Sequence, residues 1–329
     1  MFGKDIGIDL GTVNVLIYVK GEGIVLNEPS VIVIDEENKN VVAVGEEANS
    51  MLGKTPGKLK AIKPMKDGVI ADFDMVALLL ENFLKKIKLG NRISRPRILI
   101  CCPSNITEVE KNAIKEVAEK TGAKKVFVEE EPKVAAVGAG LDIGKPIGNM
   151  VVDIGGGTTD IAVLSLGNIV TSASIKTAGN TFDQNIIDYI KGKYKLLIGE
   201  KTAENIKKTI GTVKSGSSKE KMQIKGRDLV GGLPKTITIT SEEIEEALKE
   251  SIKKIISMIK VVLEQTPPEL AADIIEKGII LTGGGALLNN LPKLLESELK
   301  VPVCKAEDPL SCVAEGTGIM LEKLYYIDK

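Results

Sequence analysis

The chain has 329 residues, a formal net charge of -1 and no histidine. Hydrophobic residues make up 43% and charged residues 27%, as in an ordinary globular protein, and the near-zero charge gives no field that favours nucleic acid or a membrane. The absence of histidine excludes Ser-His catalysis, histidine metal ligands and imidazole bases, so proton transfer must rest on carboxylates, lysines or water. The length is enough for two domains of similar size.

The cysteine spacing and the lengths of the apolar runs indicate whether the protein is cytosolic, secreted or membrane-spanning. The four cysteines lack the paired spacing of zinc sites, and we expect core residues in a reducing cytosol: Cys101, Cys102, Cys304 and Cys312. A strand begins almost at the N-terminus, which leaves no room for a signal peptide. Because no run approaches the roughly 20 apolar residues of a spanning helix, the sequence predicts a cytosolic protein, at most peripheral to a membrane.

The chain opens with a predicted β-hairpin. One apolar run contains Asp9, a Gly11-Thr12 turn follows, and a second apolar run spans 15–19. Glycine lets such a turn expose consecutive N–H groups, which bind phosphate oxygens, and a carboxylate at the strand end can hold magnesium through water. The hairpin is therefore a candidate phosphate turn, although this motif alone is equally typical of a plain turn.

Residues 27–128 predict strands that alternate with helices. Residues 45–66 are rich in Gly, Lys and Pro and predict a small, loop-heavy subdomain. The other predicted elements are strands at 30–34, 41–44, 98–102 and 126–128 and helices at 73–87 and 108–121. Such alternation favours a mixed or parallel sheet with helices on its faces.

The hairpin pattern recurs at residues 149–176. Asp153 precedes three successive glycines, and Thr158-Thr159-Asp160 follows them. So much flexible backbone is costly for a mere connection, which makes this second turn the stronger phosphate-binding candidate.

The remaining elements predict a second subdomain and a third glycine turn. A helix is predicted at 182–193, a small polar subdomain at 194–240, and a long amphipathic helix after the capping box that starts at Thr240. A strand at 279–281 then runs into Gly283-Gly284-Gly285, which we expect to open a helix whose N-terminus could face a ligand.

The order of these motifs resembles the actin-like ATPase superfamily and, more narrowly, the bacterial actin family of MreB and Mbl. The segments that carry the likeness are the three glycine turns and residues 62–72, 130–132, 148–158 and 267–270. The resemblance covers essentially the whole chain. It implies an α/β, actin-like fold of two duplicated ribonuclease-H-like lobes, with small inserted subdomains and an interlobe nucleotide cleft. The implied bounds are 1–140 for lobe I, with an insert at about 32–64 and a C-terminal return at 315–329, and 141–314 for lobe II, with an insert at about 194–240.

The resemblance also implies ATP and Mg²⁺ as cofactors. Glu131 matches the family's water-orienting glutamate, and phosphoryl transfer needs such a positioned group. Asp9 and Asp153 would position magnesium, through water. The residues implied to contact ATP are Thr12, Val13, Asn14, Gly156, Gly157, Thr158, Glu204, Asn205, Ile206, Lys207, Gly284, Gly285, Ala286 and Leu287.

Two residues beside Glu131 depart from the family pattern. Glu129 stands where the family usually has an apolar residue, and Lys133 where it often has Met. If the strand at 126–128 continues, Glu129 and Glu131 share a face, and their like charges would repel unless Lys133 or magnesium compensates. The rate of hydrolysis is the property that these departures put most in doubt.

The function that the resemblance implies is that of a cytoskeletal ATPase. It would hydrolyse ATP slowly, polymerise into filaments at the inner face of the cell membrane, and organise cell-wall synthesis to set rod shape. The implied partners are further copies of the chain, in paired protofilaments, the inner membrane surface and wall-elongation proteins, with no nucleic acid. The protein would be cytoplasmic and peripheral to the membrane. The resemblance does not separate MreB from Mbl.

We expect the membrane contact to be a basic patch. Family members attach through an N-terminal amphipathic helix or an apolar loop of the first lobe, whereas only Met1 and Phe2 precede the first strand here. The patch combines six cations with two shallow apolar anchors: Lys85, Lys86, Lys88, Arg92, Arg95 and Arg97, with Phe2 and Ile93. The alternative is that the lysines only complement the dipole of a helix C-terminus.

Three other functions stay open. A sugar or acetate kinase of the superfamily would need a phosphoryl-acceptor pocket, and no segment stands out as one. A chaperone nucleotide domain would normally carry a substrate-binding domain, whereas this chain stops just after its last predicted helix. A plasmid-partitioning actin would form filaments without affinity for a membrane.

Overall fold

The computed structural model consists of two compact units. The described residues are 5–87, 95–102, 107–214 and 220–327, with only the backbone of 324–327. Unit 1 comprises residues 1–142 and 310–329, and unit 2 comprises residues 143–309. Each unit has its own hydrophobic core.

Strands and helices alternate through both units. The strands are β1 (Ile6–Leu10), β2 (Asn14–Val19), β3 (Gly23–Pro29), β4 (Ile32–Asp35), β5 (Val41–Val44), β6 (Leu59–Ile62), β7 (Met65–Lys66), β8 (Val69–Ile70), β9 (Arg97–Cys102), β10 (Lys125–Glu130), β11 (Asn149–Ile154), β12 (Thr159–Ser165), β13 (Asn168–Ile175), β14 (Leu196–Leu197), β15 (Lys221–Asp228), β16 (Pro234–Thr240), β17 (Ile279–Thr282) and β18 (Val303–Lys305). The helices are α1 (Glu46–Met51), α2 (Phe73–Lys86), α3 (Glu108–Lys120), α4 (Glu131–Gly138), α5 (Gly179–Tyr194), α6 (Glu200–Ile210), α7 (Ser241–Gln265), α8 (Pro268–Lys277), α9 (Leu291–Leu299) and α10 (Cys312–Ile327), with a 3₁₀ turn at Gly284–Leu287.

The central sheet of unit 1 has the strand order β10-β9-β1-β2-β3. β1 runs antiparallel to β2 and parallel to β9, and β9 runs parallel to β10. Every residue of β1 is buried, which explains why its sequence is a near-continuous apolar run rather than an alternating one. The predicted opening hairpin is confirmed by β1 and β2.

Unit 2 repeats this topology strand for strand. Its central sheet has the order β18-β17-β11-β12-β13, with β11 antiparallel to β12 and parallel to β17, and β17 parallel to β18. β11 and β12 therefore take the places of β1 and β2, and the second predicted hairpin is confirmed too. In both units the hairpin turn lies at the carboxyl ends of the parallel strands, where open α/β sheets bind ligands.

Each unit also contains a small sheet. In unit 1 the order is β5-β4-β6, and α1 packs on this sheet over a core that includes Val33 and Ala48. In unit 2 the order is β14-β15-β16. Residues 45–66, which the sequence predicted to be loop-heavy, contain both α1 and β6.

The C-terminal helix α10 packs on α4 and β1 of unit 1. The backbones of α4 and α10 approach closely, because a Cβ on Gly138 would overlap the carbonyl of Cys312. Arg97 adds a tether: its Nε and Nη2 donate to the two carboxylate oxygens of Asp5 at 3.0 and 2.7 Å, and Nη2 also donates to Leu321 O at 3.2 Å. These contacts bring the last segment of the chain back to unit 1.

Most predicted helices are confirmed, with small differences at their ends. α2 and α3 each stop one residue before the predicted end. α5 begins at Gly179, before the predicted Phe182, because its first turn has no apolar periodicity that the sequence could reveal. The prediction that all four cysteines are core residues is wrong for Cys304, which is exposed because β18 is an edge strand. Within the described residues no helix is both long and apolar enough to cross a bilayer.

Candidate functional site

The first glycine turn, residues 11–13, joins β1 to β2 and is held by Ser30. Ser30 Oγ donates to Gly11 O at 2.7 Å, and the Ser30 N–H donates to Val13 O at 2.8 Å. A Cβ on Gly11 would lie 2.6 Å from Asn14 O, so this bend requires glycine. The turn is open on one side, since Val13 is 42% exposed.

The other two predicted ATP contacts of this turn are half-buried. They are Thr12 and Asn14. Asn14 Nδ2 donates to Asn27 Oδ1 at 2.7 Å, so this side chain also ties β2 to β3. The side chains that place this turn, Asn27 and Ser30, therefore come from β3 and the residue that follows it.

Three polar side chains lie at the carboxyl ends of the parallel strands β1, β9 and β10. Asp9 lies on β1, Cys102 ends β9, and Glu131 follows β10 directly. The pKa of the Cys102 thiol rises to about 12, first because the thiol is buried and next because of the negative charge of Glu131, with Asp9 adding to the rise and Lys111 opposing it. The charges of Glu131, Lys111 and Asp9 thus all act on one buried point at this end of the sheet.

Glu131 is the first residue of helix α4, followed by Pro132, and is not part of the strand. The expectation that Glu129 and Glu131 share a strand face is therefore wrong, because the strand geometry ends at Glu130. Lys133 Nζ lies 3.2 Å from Glu129 Oε2, so Glu129 is paired with a cation.

The second glycine turn joins β11 to β12. The Gly155 N–H donates to Thr158 O at 2.9 Å and closes the turn. The first N–H groups of α5 donate to it as well, from Gly179 to Gly155 O at 3.1 Å and from Asn180 to Gly156 O at 2.8 Å. This turn is therefore fixed by a helix as well as by its own hydrogen bond.

Asp153 lies on β11, two residues before the second glycine turn, and is only 2% exposed. Thr282 pairs with it across β11 and β17, and Thr282 Oγ1 donates to Asp153 Oδ1 at 2.9 Å. The hydroxyl fixes the orientation of the carboxylate, which is what a group that positions a hydrated cation needs.

The third glycine turn forms the 3₁₀ turn Gly284–Leu287 rather than the predicted helix. That prediction is wrong: Leu288 is already extended, and α9 begins only at Leu291. Four residues are too few for the phosphate site of a helix N-terminus. Gly283 has φ of +77°, and a Cβ there would lie 2.5 Å from Asp153 Oδ1, so this glycine lets the turn pack against the carboxylate.

The predicted ATP contacts of the third turn differ in exposure. Ala286 is 1% exposed, whereas Leu287 is 46% exposed. A Cβ on Gly285 would overlap the side chain of Ile154, so Gly285 is needed for packing. Leu287 is the member of this turn that offers an apolar surface.

The four predicted ATP contacts on α6 have different surroundings. Ile206 is fully buried in the core of unit 2, so only its backbone could face a ligand, and Asn205 is exposed. Glu204 Oε1 lies 2.7 Å from Lys208 Nζ in a largely exposed ion pair. Lys207 differs from all of these, because its Nζ donates to Gly179 O and to Asp183 Oδ2, both at 2.9 Å.

Sequence reasoning missed three side chains: Ser30, which holds the first turn, Thr282, which bonds Asp153, and Asp183, which pairs with Lys207. Thr282 carried a usable signal, since a hydroxyl directly before a glycine run can contact the neighbouring strand end. Ser30 and Asp183 carried none, because their contacts depend on segments far away in sequence.

The described residues fit a magnesium ion that binds mainly through a nucleotide. Among them no group of three or more Asp, Glu or Cys side chains could hold a metal ion. Magnesium does not need such a group, because it keeps several waters and uses one or two carboxylates together with phosphate oxygens. Asp9 in unit 1 and Asp153 in unit 2 can each act as such a carboxylate.

The predicted basic patch is only partly described. Four of its members lie outside the described residues: Phe2, Lys88, Arg92 and Ile93. Lys85 and Lys86 each pair with a glutamate, at 2.7 and 2.9 Å, and Arg95 is exposed. The prediction that Arg97 belongs to the patch is wrong, because Arg97 forms a largely enclosed ion pair with Asp5.

Comparison with known proteins identifies the family. The family model described as MreB/Mbl protein matches residues 3–329. Cell shape-determining protein Mbl of Bacillus cereus is 64% identical over 100% of this chain and 99% of the relative. The chain belongs to the MreB/Mbl family. Cell shape-determining protein MreB of Escherichia coli K12 is 52% identical, over 98% of this chain and 95% of the relative.

Solved structures show the same fold. Two crystal structures of MreB5 of Spiroplasma citri, bound to ADP and to AMPPNP, each match with a TM-score of 0.93 at 44% and 45% identity. The matches cover 99% of this chain and 99% and 98% of those chains. The predicted α/β, actin-like fold of the MreB/Mbl family is thereby confirmed.

Proposed function

We propose that this MreB/Mbl protein binds and slowly hydrolyses ATP with Mg²⁺, and that it polymerises into filaments that organise cell-wall synthesis and set rod shape. The observation that carries the proposal is the duplication of one feature. Each unit has a glycine turn at the carboxyl ends of its parallel strands, with Asp9 or Asp153 two residues before the glycine. The nucleotides bound to the related MreB5 structures support ATP as the ligand.

The two turns would bind phosphate oxygens. Backbone N–H groups at Thr12–Asn14 and Gly156–Thr158 suit this role, because consecutive amides in a tight turn form an anion-binding concavity. The residues that would hold the nucleoside are those of 204–207 and 284–287. Of these, the exposed Leu287 suits a flat apolar base, and Glu204 suits a hydroxyl.

Glu131 would orient the attacking water. Phosphoryl transfer rests on positioning and on charge stabilisation, and without histidine a carboxylate is the natural group to orient water. As the first residue of α4, followed by Pro132, Glu131 has a fixed backbone. Asp9 and Asp153 are the residues that would hold magnesium through water, and the ion would supply charge stabilisation to the phosphates.

Polymerisation would be the functional output. A chain of this length folds to a radius of gyration of about 20 Å, so a single copy cannot act on the scale of a cell. The curated relatives are called cell shape-determining proteins, which supports an assembly as the working form. We expect homopolymers, in paired protofilaments, together with wall-elongation proteins as partners.

The filament would lie in the cytoplasm at the inner face of the membrane. The basic patch, now without Arg97, would supply the contact, since each surface cation contributes about 1 kcal/mol near anionic lipid. Many weak contacts along a filament would add up by avidity. Co-sedimentation with anionic and with neutral vesicles over a salt series tests this. If the bound fraction changes with neither lipid charge nor salt concentration, the basic patch is not the membrane contact.

Electron microscopy and phosphate release with magnesium and ATP test the central proposal. We expect filaments and slow phosphate release that need no second substrate. Phosphate transfer that depends on added sugar or acetate would indicate a kinase. Nucleotide binding by a protein that stays monomeric at high concentration with ATP and lipid would indicate a chaperone-like switch. Filaments without any lipid affinity would indicate a plasmid-partitioning actin.

A further inference from the structure

We propose that Asp183 is a positioning residue, which acts through Lys207 and the first turn of α5 to hold the second glycine turn in its phosphate-binding shape. The consequence for ATP rests on the proposed function, but the brace itself concerns the nucleotide-free protein. Asp183 contacts no part of the glycine turn directly in this arrangement. Its effect would pass through a ladder of hydrogen bonds within unit 2.

The first step of the ladder joins the turn to α5. The N–H groups of Gly179 and Asn180 donate to Gly155 O and Gly156 O, at 3.1 and 2.8 Å. A Cβ on Gly179 would lie 3.2 Å from Gly155 O, so the helix start and the turn are in close contact. Any shift of the first turn of α5 must therefore shift the glycine turn.

The second step joins α5 to α6. Lys207 Nζ donates to Gly179 O and to Asp183 Oδ2, both at 2.9 Å. One ammonium thereby holds the first and the fifth residue of α5 together and ties both to α6. An ammonium has three N–H donors, so the two bonds leave one that could still meet a nucleotide.

The pair is largely enclosed. The side chains of Lys207 and Asp183 are 17% and 13% exposed. Burial raises the pKa of the Asp183 carboxyl, and the charge of Lys207 opposes that rise. Asp183 Oδ1 is buried and has no hydrogen-bond partner among the described residues. Replacing a buried ion pair by apolar residues of similar volume is often neutral for stability. We therefore attribute this pair to the geometry that it imposes on α5 and α6.

Hydrogen exchange of the nucleotide-free protein tests the brace without any use of ATP. We would compare Asp183→Asn and Lys207→Met with the parent protein and follow the amides of Gly179 and Asn180. Each variant should exchange at least about tenfold faster at these amides. Lys207→Met removes both bonds to α5, and Asp183→Asn removes the negative charge that strengthens the bond from Lys207. The double variant should resemble either single variant, since the two residues act as one unit.

Lys208→Met is the matched control. Lys208 is the next residue on α6 and forms the exposed ion pair with Glu204, so its loss should leave the exchange of Gly179 and Asn180 unchanged. Amides in the middle of α7, whose buried face lies in the core of unit 2, report whether a variant still folds. If Lys207→Met unfolds, Asp183→Asn, which keeps the shape of the side chain, carries the test alone.

Unchanged exchange at Gly179 and Asn180 in folded Asp183→Asn would overturn the proposal, as would equal effects of Lys208→Met and Lys207→Met. If the brace is confirmed, ATP affinity of Asp183→Asn should fall by roughly tenfold, in the range of residues that orient a ligand-binding group. If exchange rises but the parent protein binds no ATP, the proposed function fails and the brace stands.

Discussion

The two glycine turns occupy the same place in two sheets of the same topology, yet different parts of the chain hold them. In unit 1 a single serine, Ser30, bonds both ends of an open turn. In unit 2 the turn is held by the start of α5, and the neighbouring Asp153 is held by Thr282. The duplicated hairpin thus fixes where a phosphate could bind, whereas the residues and contacts that support the turn differ between the two units.

The acidic side chains near the two glycine turns also have different surroundings. In unit 1 the carboxyl ends of the strands carry Asp9 and Glu131 beside the buried Cys102 thiol. In unit 2 Asp153 stands with a threonine hydroxyl, and the cation Lys207 braces the neighbouring turn. Under the proposed function, unit 1 supplies Glu131 for hydrolysis, and we expect the turn of unit 2, which has more hydrogen-bonded supports, to make the firmer phosphate contact. Four changes can break or sharpen this comparison.

The largest expected effect is that of Glu131→Gln on hydrolysis. Loss of a positioned acid–base group lowers rates by roughly 10²–10⁴-fold, so phosphate release should fall by that factor while ATP affinity stays near the parent value. Single-turnover phosphate release and a separate binding titration measure the two. Glu129→Gln is the control, because Glu129 is already paired with Lys133. If Glu129→Gln is the slow variant instead, the assignment to Glu131 is wrong.

Asp153→Asn should mainly weaken binding. The amide keeps an oxygen for the Thr282 hydroxyl but loses the charge that would attract magnesium through water. We expect a loss of roughly 10–100-fold in magnesium-ATP affinity, measured by calorimetry with and without magnesium. Asp188→Asn, at an exposed carboxylate of the same unit, should change nothing. Unchanged affinity of Asp153→Asn would contradict a role for unit 2 in magnesium binding.

Sequence patterns predicted the hairpins well because a buried strand, a glycine turn and a second strand are contiguous. The same patterns failed where a distant contact decides. Glu131 begins a helix because Pro132 suits the first helical turn, and strand alternation could not show this. The third glycine run forms only a short 3₁₀ turn, in which Gly283 packs against Asp153 on a neighbouring strand. Lys207 matched a nucleotide contact by position, but its partner Asp183 is visible only in the fold.

Ser30→Ala should have a smaller effect, on the open turn of unit 1. The change removes the 2.7 Å bond to Gly11 O but keeps the backbone bond to Val13 O. One hydrogen bond contributes about 1 kcal/mol, so ATP affinity should fall by up to about fivefold. Ser50→Ala removes a comparable bond to a helix carbonyl far from the turn and serves as the control. A loss as large as that of Asp153→Asn would contradict the view that unit 2 makes the firmer contact.

The smallest effect concerns the Cys102 thiol, which reports on the charge of Glu131. Its pKa lies at about 12, above the ordinary value of 9.0, so the folded chain holds this proton more tightly than the unfolded chain does. The stability from this group is therefore complete below pH 9.0 and is lost as the pH rises towards about 12. Cys102→Ala should therefore lose less stability than the parent protein between pH 9.0 and about 12, which alkaline denaturation profiles measure.

Glu131→Gln should make the thiol easier to ionise, because it removes the second-largest cause of the raised pKa and leaves burial, the largest, in place. The midpoint of Cys102 ionisation should then fall by at most about one pH unit. Ultraviolet absorbance of the thiolate over a pH series, taken as the difference from Cys102→Ala, measures this midpoint without any reagent having to reach the buried thiol. If the midpoint does not respond to Glu131→Gln, the acid of unit 1 does not act on the carboxyl end of β9, and the proposed division between the two turns loses its basis.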